Sequence, residues 1–132
     1  MAGLADEKSA IAKIESLGGR VLYIAKDSKN YSVTITKGLF DKKKGFTVDD
    51  AKLLSELKNA VEISFQNPDV ADQWVVPLKG LTGLKKLHLE KTKVTDKVFD
   101  TVSSLGGLEY LNLYKTGVTD AGLDKLKGLK KL

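Results

Sequence analysis

The chain has 132 residues, 42% apolar and 30% charged, which suits one globular unit with a real core and leaves no room for a second domain. The absence of cysteine excludes disulfides, thiolate metal sites and a cysteine nucleophile, and the single His88 excludes a multi-histidine metal site. The formal charge of +5, from 22 basic and 17 acidic residues, favours anionic partners mildly without demanding nucleic acid.

Met1 to Ala10 holds no apolar stretch of a signal peptide, and no window approaches the roughly 20 apolar residues of a membrane-spanning helix. As written, the chain is expected to be soluble and cytoplasmic, with export of a longer precursor left open. Ala5 to Leu17 sets Ala10, Ile11, Ile14 and Leu17 on one helical face and stops at Gly18-Gly19. Val21 to Ala25 and Tyr31 to Thr36 then read as two strands around the turn Asp27-Ser28-Lys29-Asn30, with Val33 and Ile35 as an inward pair. The segment from Lys37 to Gly45, with Lys42, Lys43 and Lys44 in succession, reads as an exposed loop. Residues 1–45 are therefore expected to form an α/β cap that is continuous with residues 46–132 and makes one folded unit with them.

From there on the chain repeats. Val70, Val94 and Val118 are spaced by 24 residues, each followed two places later by an aspartate (Asp72, Asp96, Asp120), and Val48 with Asp50 opens the same phase. Leu81, Leu105 and Leu129 keep the same interval, as do Leu84, Leu108 and Leu132. The full unit runs from Leu84 to Val94 and again from Leu108 to Val118, as L-x-x-L-x-L-x-x-T-x-V.

Within a unit, Leu87-His88-Leu89 alternates with the period of a strand, leucines inward and His88 outward. Asp96 to Leu105 places Val98, Phe99, Val102 and Leu105 at helical spacing, so a helix is expected to return the chain behind the sheet. Stacked units give short parallel strands whose Leu87, Leu89, Leu111 and Leu113 ladder dominates stability, at roughly 1.5 to 3 kcal/mol per buried side chain. Thr92 and Thr116 fall at the strand-end turn, where their hydroxyls are expected to satisfy loop amides. Asp50, Asp72, Asp96 and Asp120 fall at helix starts, where carboxylates cap free amides. Asn67-Pro68 replaces the loop threonine in one unit, Pro77 should end or kink the helix over Asp72 to Val76, and Trp74 reads as packing.

Val118-Thr119-Asp120-Ala121-Gly122-Leu123 completes a unit that resembles the leucine-rich repeats of bacterial proteins abundant in planctomycetes, L-x-x-L-x-L-x-x-T-x-V-T-D-x-G-L, over about residues 46 to 132. The resemblance implies an α/β right-handed solenoid, a short parallel sheet on the concave face, helices on the convex face, and an interaction module rather than an enzyme.

Outward strand positions then form rows: Ser32, Thr34, Thr36; Glu62, Ser64, Gln66; Lys86, His88, Glu90; Tyr110, Asn112, Tyr114. They vary where the framework is constant, and nothing in the fold requires two tyrosines there. Tyrosine offers large contact area with a hydrogen-bonding tip, so Tyr110, Tyr114, His88 and Asn112 are read as the centre of a contact with an unidentified protein or peptide.

Two other functional classes compete with this reading. His88 with Glu90 two places on resembles a general-base pair, but no G-x-S-x-G elbow or phosphate loop appears, and nothing calls for a cofactor. Lys42 to Lys44, Lys85, Lys86, Lys91, Lys93, Lys115 and the lysine-rich tail suit a polyanion, yet Arg20 is the sole arginine, so bidentate readers of bases and phosphates are nearly missing. The last strand, around Tyr110 to Tyr114, is expected at the sheet edge, implying either further repeats in a longer protein or edge-to-edge association of copies.

Overall fold

The computed structural model of the protein describes residues 6–36 and 46–132. The lysine triplet Lys42 to Lys44 lies outside the described residues. The described chain has a mixed α/β fold: one five-stranded sheet backed by short helical segments.

Helix α1 spans Glu7–Ser16. Asp6 is its N-cap, accepting a 2.7 Å hydrogen bond from the Ser9 amide, and that bond holds the Asp6 carboxyl below the usual carboxylate range. Ala10 and Ile14, one turn apart, are buried, while Ile11 and Leu17 sit half-buried at the core margin. Gly18 then turns the chain at φ 93°, a left-handed conformation that glycine adopts without steric cost.

Strand β1 (Arg20–Tyr23) pairs antiparallel with β2 (Tyr31–Thr36), and β3 (Ala60–Gln66), β4 (Lys86–His88) and β5 (Tyr110–Asn112) come next in parallel, in chain order. In β2 the alternation is complete: Tyr31, Val33 and Ile35 are buried while Ser32, Thr34 and Thr36 are half-exposed. This matches the predicted inward pair and adds Tyr31 to it.

The return path behind the sheet is shorter than the predicted helices. Residues Asp50–Glu56 form a 3-10 segment, α2 (Asp72–Val75) passes into a 3-10 turn at Val76–Leu78, a 3-10 turn at Asp96–Val98 leads into α3 (Phe99–Val102), and α4 (Asp120–Leu123) ends in another at Asp124–Leu126. A 3-10 turn rises about 2.0 Å per residue against about 1.5 Å in an α-helix, so it crosses the back of a rung with fewer residues. Pro77 stands in the 3-10 turn that ends α2, as its missing amide requires. Val98, Phe99, Val102 and Leu105 are all buried, as their spacing predicts.

The rungs register as the repeat demands. Ile63 faces Leu87, and Leu87 faces Leu111, across β3, β4 and β5. Leu84, Leu87, Leu89, Val94 and Leu108 are fully buried in one continuous core, whereas Leu111 and Leu113 are only half-buried because β5 is the outermost described strand. Trp74 packs into the same core, its ring 5.8 Å from that of Phe46.

Three sequence expectations are corrected by packing. Val48 is 40% exposed, and the buried residue at that end is Phe46. The Thr92 and Thr116 hydroxyls do not serve amides; each donates 2.7 Å to a carbonyl three residues back, Leu89 and Leu113. The repeated aspartates do not cap their own helices either. Residue Ala71 precedes α2 with no side-chain cap, and the Asp72 carboxylate reaches the next rung instead, accepting from the Thr95 amide at 2.8 Å and the Thr95 hydroxyl at 2.6 Å. Asp96 does the same to Thr119, at 2.7 and 2.5 Å. Thr119's donors hold the Asp96 carboxyl below its ordinary range. The 24-residue aspartate interval thus encodes a staple between rungs. Asp50 turns back to the Thr47 amide and hydroxyl, both at 2.9 Å, because the position equivalent to Thr95 in the next rung is Ala71, which has no hydroxyl.

A further staple joins α1 to the repeats. Glu7 accepts from the Tyr31 hydroxyl at 3.0 Å, the Asn59 amide at 2.8 Å and the Asn59 side chain at 2.7 Å. Burial and the bond to Glu7 raise the Tyr31 phenol well above its usual range.

Candidate functional site

The sheet has one face packed on the helical segments and one open face, and strand register decides what lines the open face. Ser32, Glu62, Lys86 and Tyr110 stand side by side across β2 to β5, and Thr34, Ser64, His88 and Asn112 form the row above. Thr36 pairs with Gln66, succeeded along the surface by Glu90 and Tyr114 beyond the ends of β4 and β5. Side chains directly opposite on neighbouring parallel strands lie about 5 Å apart, so each row is a continuous surface.

At its centre the imidazole of His88 lies between two carboxylates. Its Nε2 is 2.8 Å from Glu62 Oε1, and its Nδ1 is 3.8 Å from Glu90 Oε1. Its ring is 5.0 Å from that of Tyr110 at a 41° tilt, a favourable aromatic contact. The Asn112 side chain donates to the Tyr110 hydroxyl at 3.4 Å and accepts from the Tyr114 amide at 3.0 Å. Lys115 places its ammonium 5.5 Å from the Tyr114 ring centre. Tyr110 and Tyr114 are 44% and 61% exposed, so their rings are held from the side while their outer surfaces stay open.

Of the positions singled out in the sequence, Glu62, His88, Glu90, Tyr110 and Asn112 form one connected group. Ser64 is half-exposed between them, Gln66 and Lys86 stand exposed at its two ends, and Tyr114 joins through Asn112. The pairing of His88 with Glu62, 26 residues away, takes precedence over the Glu90 partner expected from the sequence. Among the described residues no serine or threonine hydroxyl bonds to His88, so the geometry supplies an orienting carboxylate but no nucleophile for general-base work. No set of three metal-ligating side chains in metal-binding arrangement occurs among the described residues.

Sequence reading missed the contribution of β1. Leu22 pairs with Ser32 and Arg20 with Thr34, so both lie on the open face and extend its two rows by one strand. The signal was present in the alternation of Arg20, Val21 and Leu22, but only the pairing register shows which sheet face the even positions join.

No helix among the described residues is long and apolar enough to cross a membrane. No protein-family model matches the chain, and no curated protein matches it. Among solved structures, the chain is similar to an internalin from Listeria monocytogenes, with a TM-score of 0.48 at 19% identity over 61% of this chain. The matched region is 23% of that protein, so the chain spans less than a quarter of the length of the internalin it resembles.

Proposed function

We propose that the chain is a non-catalytic binding module: a right-handed leucine-rich-repeat solenoid, capped by residues 1–45 and folded as one unit with residues 46–132, that holds a protein or peptide against the concave face of its sheet. The observation that carries this reading is the open face itself. Two exposed tyrosines, Tyr110 on β5 and Tyr114 just past its end, are buttressed by His88 and Asn112 on a sheet whose other face already supplies the core. Tyr110, Asn112, Tyr114 and His88 form the centre of the contact, with Glu62, Ser64, Gln66, Lys86 and Glu90 as its rim. Rigid aromatic anchors ringed by polar groups are the arrangement that concentrates binding energy in protein interfaces.

The test is capture from a lysate of the source organism on immobilised wild-type chain and on the Tyr110→Ala, Tyr114→Ala, His88→Ala triple variant, with bound proteins quantified. The wild type should retain a defined partner that the variant loses, while the melting temperatures agree, since none of the three side chains belongs to the core. Equal retention by both would sink the assignment. Retained material that is nucleic acid, and that releases steeply with added salt, would replace it with polyanion binding.

A further inference from the structure

The open face does not end at the tyrosines. Its lower row runs Leu22, Ser32, Glu62, Lys86, Tyr110 across all five strands. At the β1 end it carries aliphatic surface beside the exposed ring of Tyr23. Leu22 on β1 and Ile24 just past its end are 60% and 61% exposed, at the opposite end of the sheet from β5. Together with half-buried Val61 they line a groove of about 330 Å3 that closes on Lys85 and Lys86. Isolated exposed aliphatics are ordinary, but adjacent ones lining a concavity are not.

The charges around this groove are unbalanced. Its one carboxylate, Glu62, is engaged by His88. Lys85 and Lys86 are exposed, and neither ammonium has an acidic partner among the described residues. The groove therefore offers an aliphatic seat beside two uncompensated cations. A basic segment would be repelled, a purely apolar one would leave the lysines unanswered, and complementarity selects a ligand that is aliphatic at one point and anionic at the next.

We propose that this groove takes an extended acidic segment of the partner, with an apolar side chain seated against Leu22, Ile24 and Val61 and an Asp or Glu carboxylate over Lys85 and Lys86. The proposal rests on the protein-binding reading above and specifies the partner's chemistry. The spacing comes from the sheet. Leu22 on β1 and Lys86 on β4 are three strand intervals apart, about 14 Å, and an extended chain advances about 3.3 Å per residue. The acidic residue therefore stands about three to five positions from the apolar anchor. The same segment, continued by one strand interval, reaches Tyr110.

The experiment pans a displayed library of random twelve-residue peptides on the intact 132-residue chain and measures the enriched peptides by fluorescence anisotropy. The expected consensus is an apolar residue with Asp or Glu three to five places away. Affinity should fall at least tenfold on Lys85→Glu with Lys86→Glu, and on Leu22→Asp, with unchanged melting curves because all three positions are exposed. Acidic peptides unmoved by the charge reversal, a basic or uncharged consensus, or no enrichment would overturn the proposal. Peptides lost on the Tyr110, Tyr114 and His88 alanine variant, yet indifferent to Leu22 and the two lysines, would overturn this groove while leaving the binding face standing. Peptides indifferent to both sets would remove both. A single-stranded oligonucleotide that binds through Lys85 and Lys86 where no peptide does would overturn it in favour of polyanion recognition.

Discussion

Replacing Glu7 tests how the first helix is joined to the repeats. Its carboxylate receives three donors, from Tyr31 and from the amide and side chain of Asn59, and among the described residues no other side chain in α1 bonds across to the strands. A hydrogen bond to a charged group contributes about 1.5 to 3 kcal/mol when sequestered, and less where water can substitute. Glu7 is half-buried, so Glu7→Ala should cost about 2 to 4 kcal/mol in total, and Glu7→Gln, which keeps one acceptor oxygen, about half of that. At about 3 °C per kcal/mol for a chain of this size, the alanine variant should melt about 6 to 12 °C lower.

The pH dependence has a definite sign. Burial pushes the Glu7 carboxyl up, but the Asn59 and Tyr31 donors outweigh it and leave the folded value below the ordinary 4.5. A carboxyl with a depressed folded value contributes stability that is fully present above the unfolded value and is lost as pH falls through the folded one. Urea unfolding at pH 7 and pH 3 should therefore show a gap between wild type and Glu7→Gln that is large at neutral pH and closes in acid. A gap of the same size at both pH values would show that the charge on Glu7 does not hold the helix in place.

Asp96 and Thr119 should behave as a coupled pair. Asp96→Ala removes the acceptor of the residue-119 amide and should speed its hydrogen exchange, while Thr119→Ala removes only the hydroxyl bond and should speed it less. The double variant should exchange no faster than Asp96→Ala; a further increase in the double variant would mean the staple does not form. In the core, Leu87→Ala should cost about 3 to 5 kcal/mol, and Leu111→Ala clearly less, because Leu87 is fully enclosed and Leu111 lies on the outermost described strand. Equal losses in urea unfolding would contradict that gradient. Gly107→Ala should destabilise by about 2 kcal/mol or more, since a Cβ there would run into the Thr82 carbonyl of the preceding rung. An unchanged melting temperature would show that the rungs are less closely stacked than described.

Much of the fold was legible in one dimension because stacking makes rungs equivalent. Leu84 and Leu108, or Val70 and Val94, recur at 24 residues since each occupies the same place in a successive layer, and burial tracks that place. The open-face rows were readable for the same reason: a strand period of two, combined with a fixed repeat, places His88 beside Asn112 without any coordinates.

What the repeat could not specify is what its polar residues bond to. Asp72 and Asp96 recur like helix caps, and a one-dimensional reading sees only the local amides; the geometry places Thr95 and Thr119 of the following rung closer. Leu22 carries no repeat signal, since β1 runs antiparallel and lies outside the periodic part, so its place on the open face depends on pairing with Ser32. Glu7 and Asn59 are 52 residues apart and obey no interval at all. Periodicity determines which positions are equivalent and which face inward, because identical layers must present identical apolar surfaces. Contacts between unlike segments, such as Glu7 of α1 with Asn59 or β1 with the open face of the sheet, are decided only by the tertiary structure, where distance in space replaces distance along the chain.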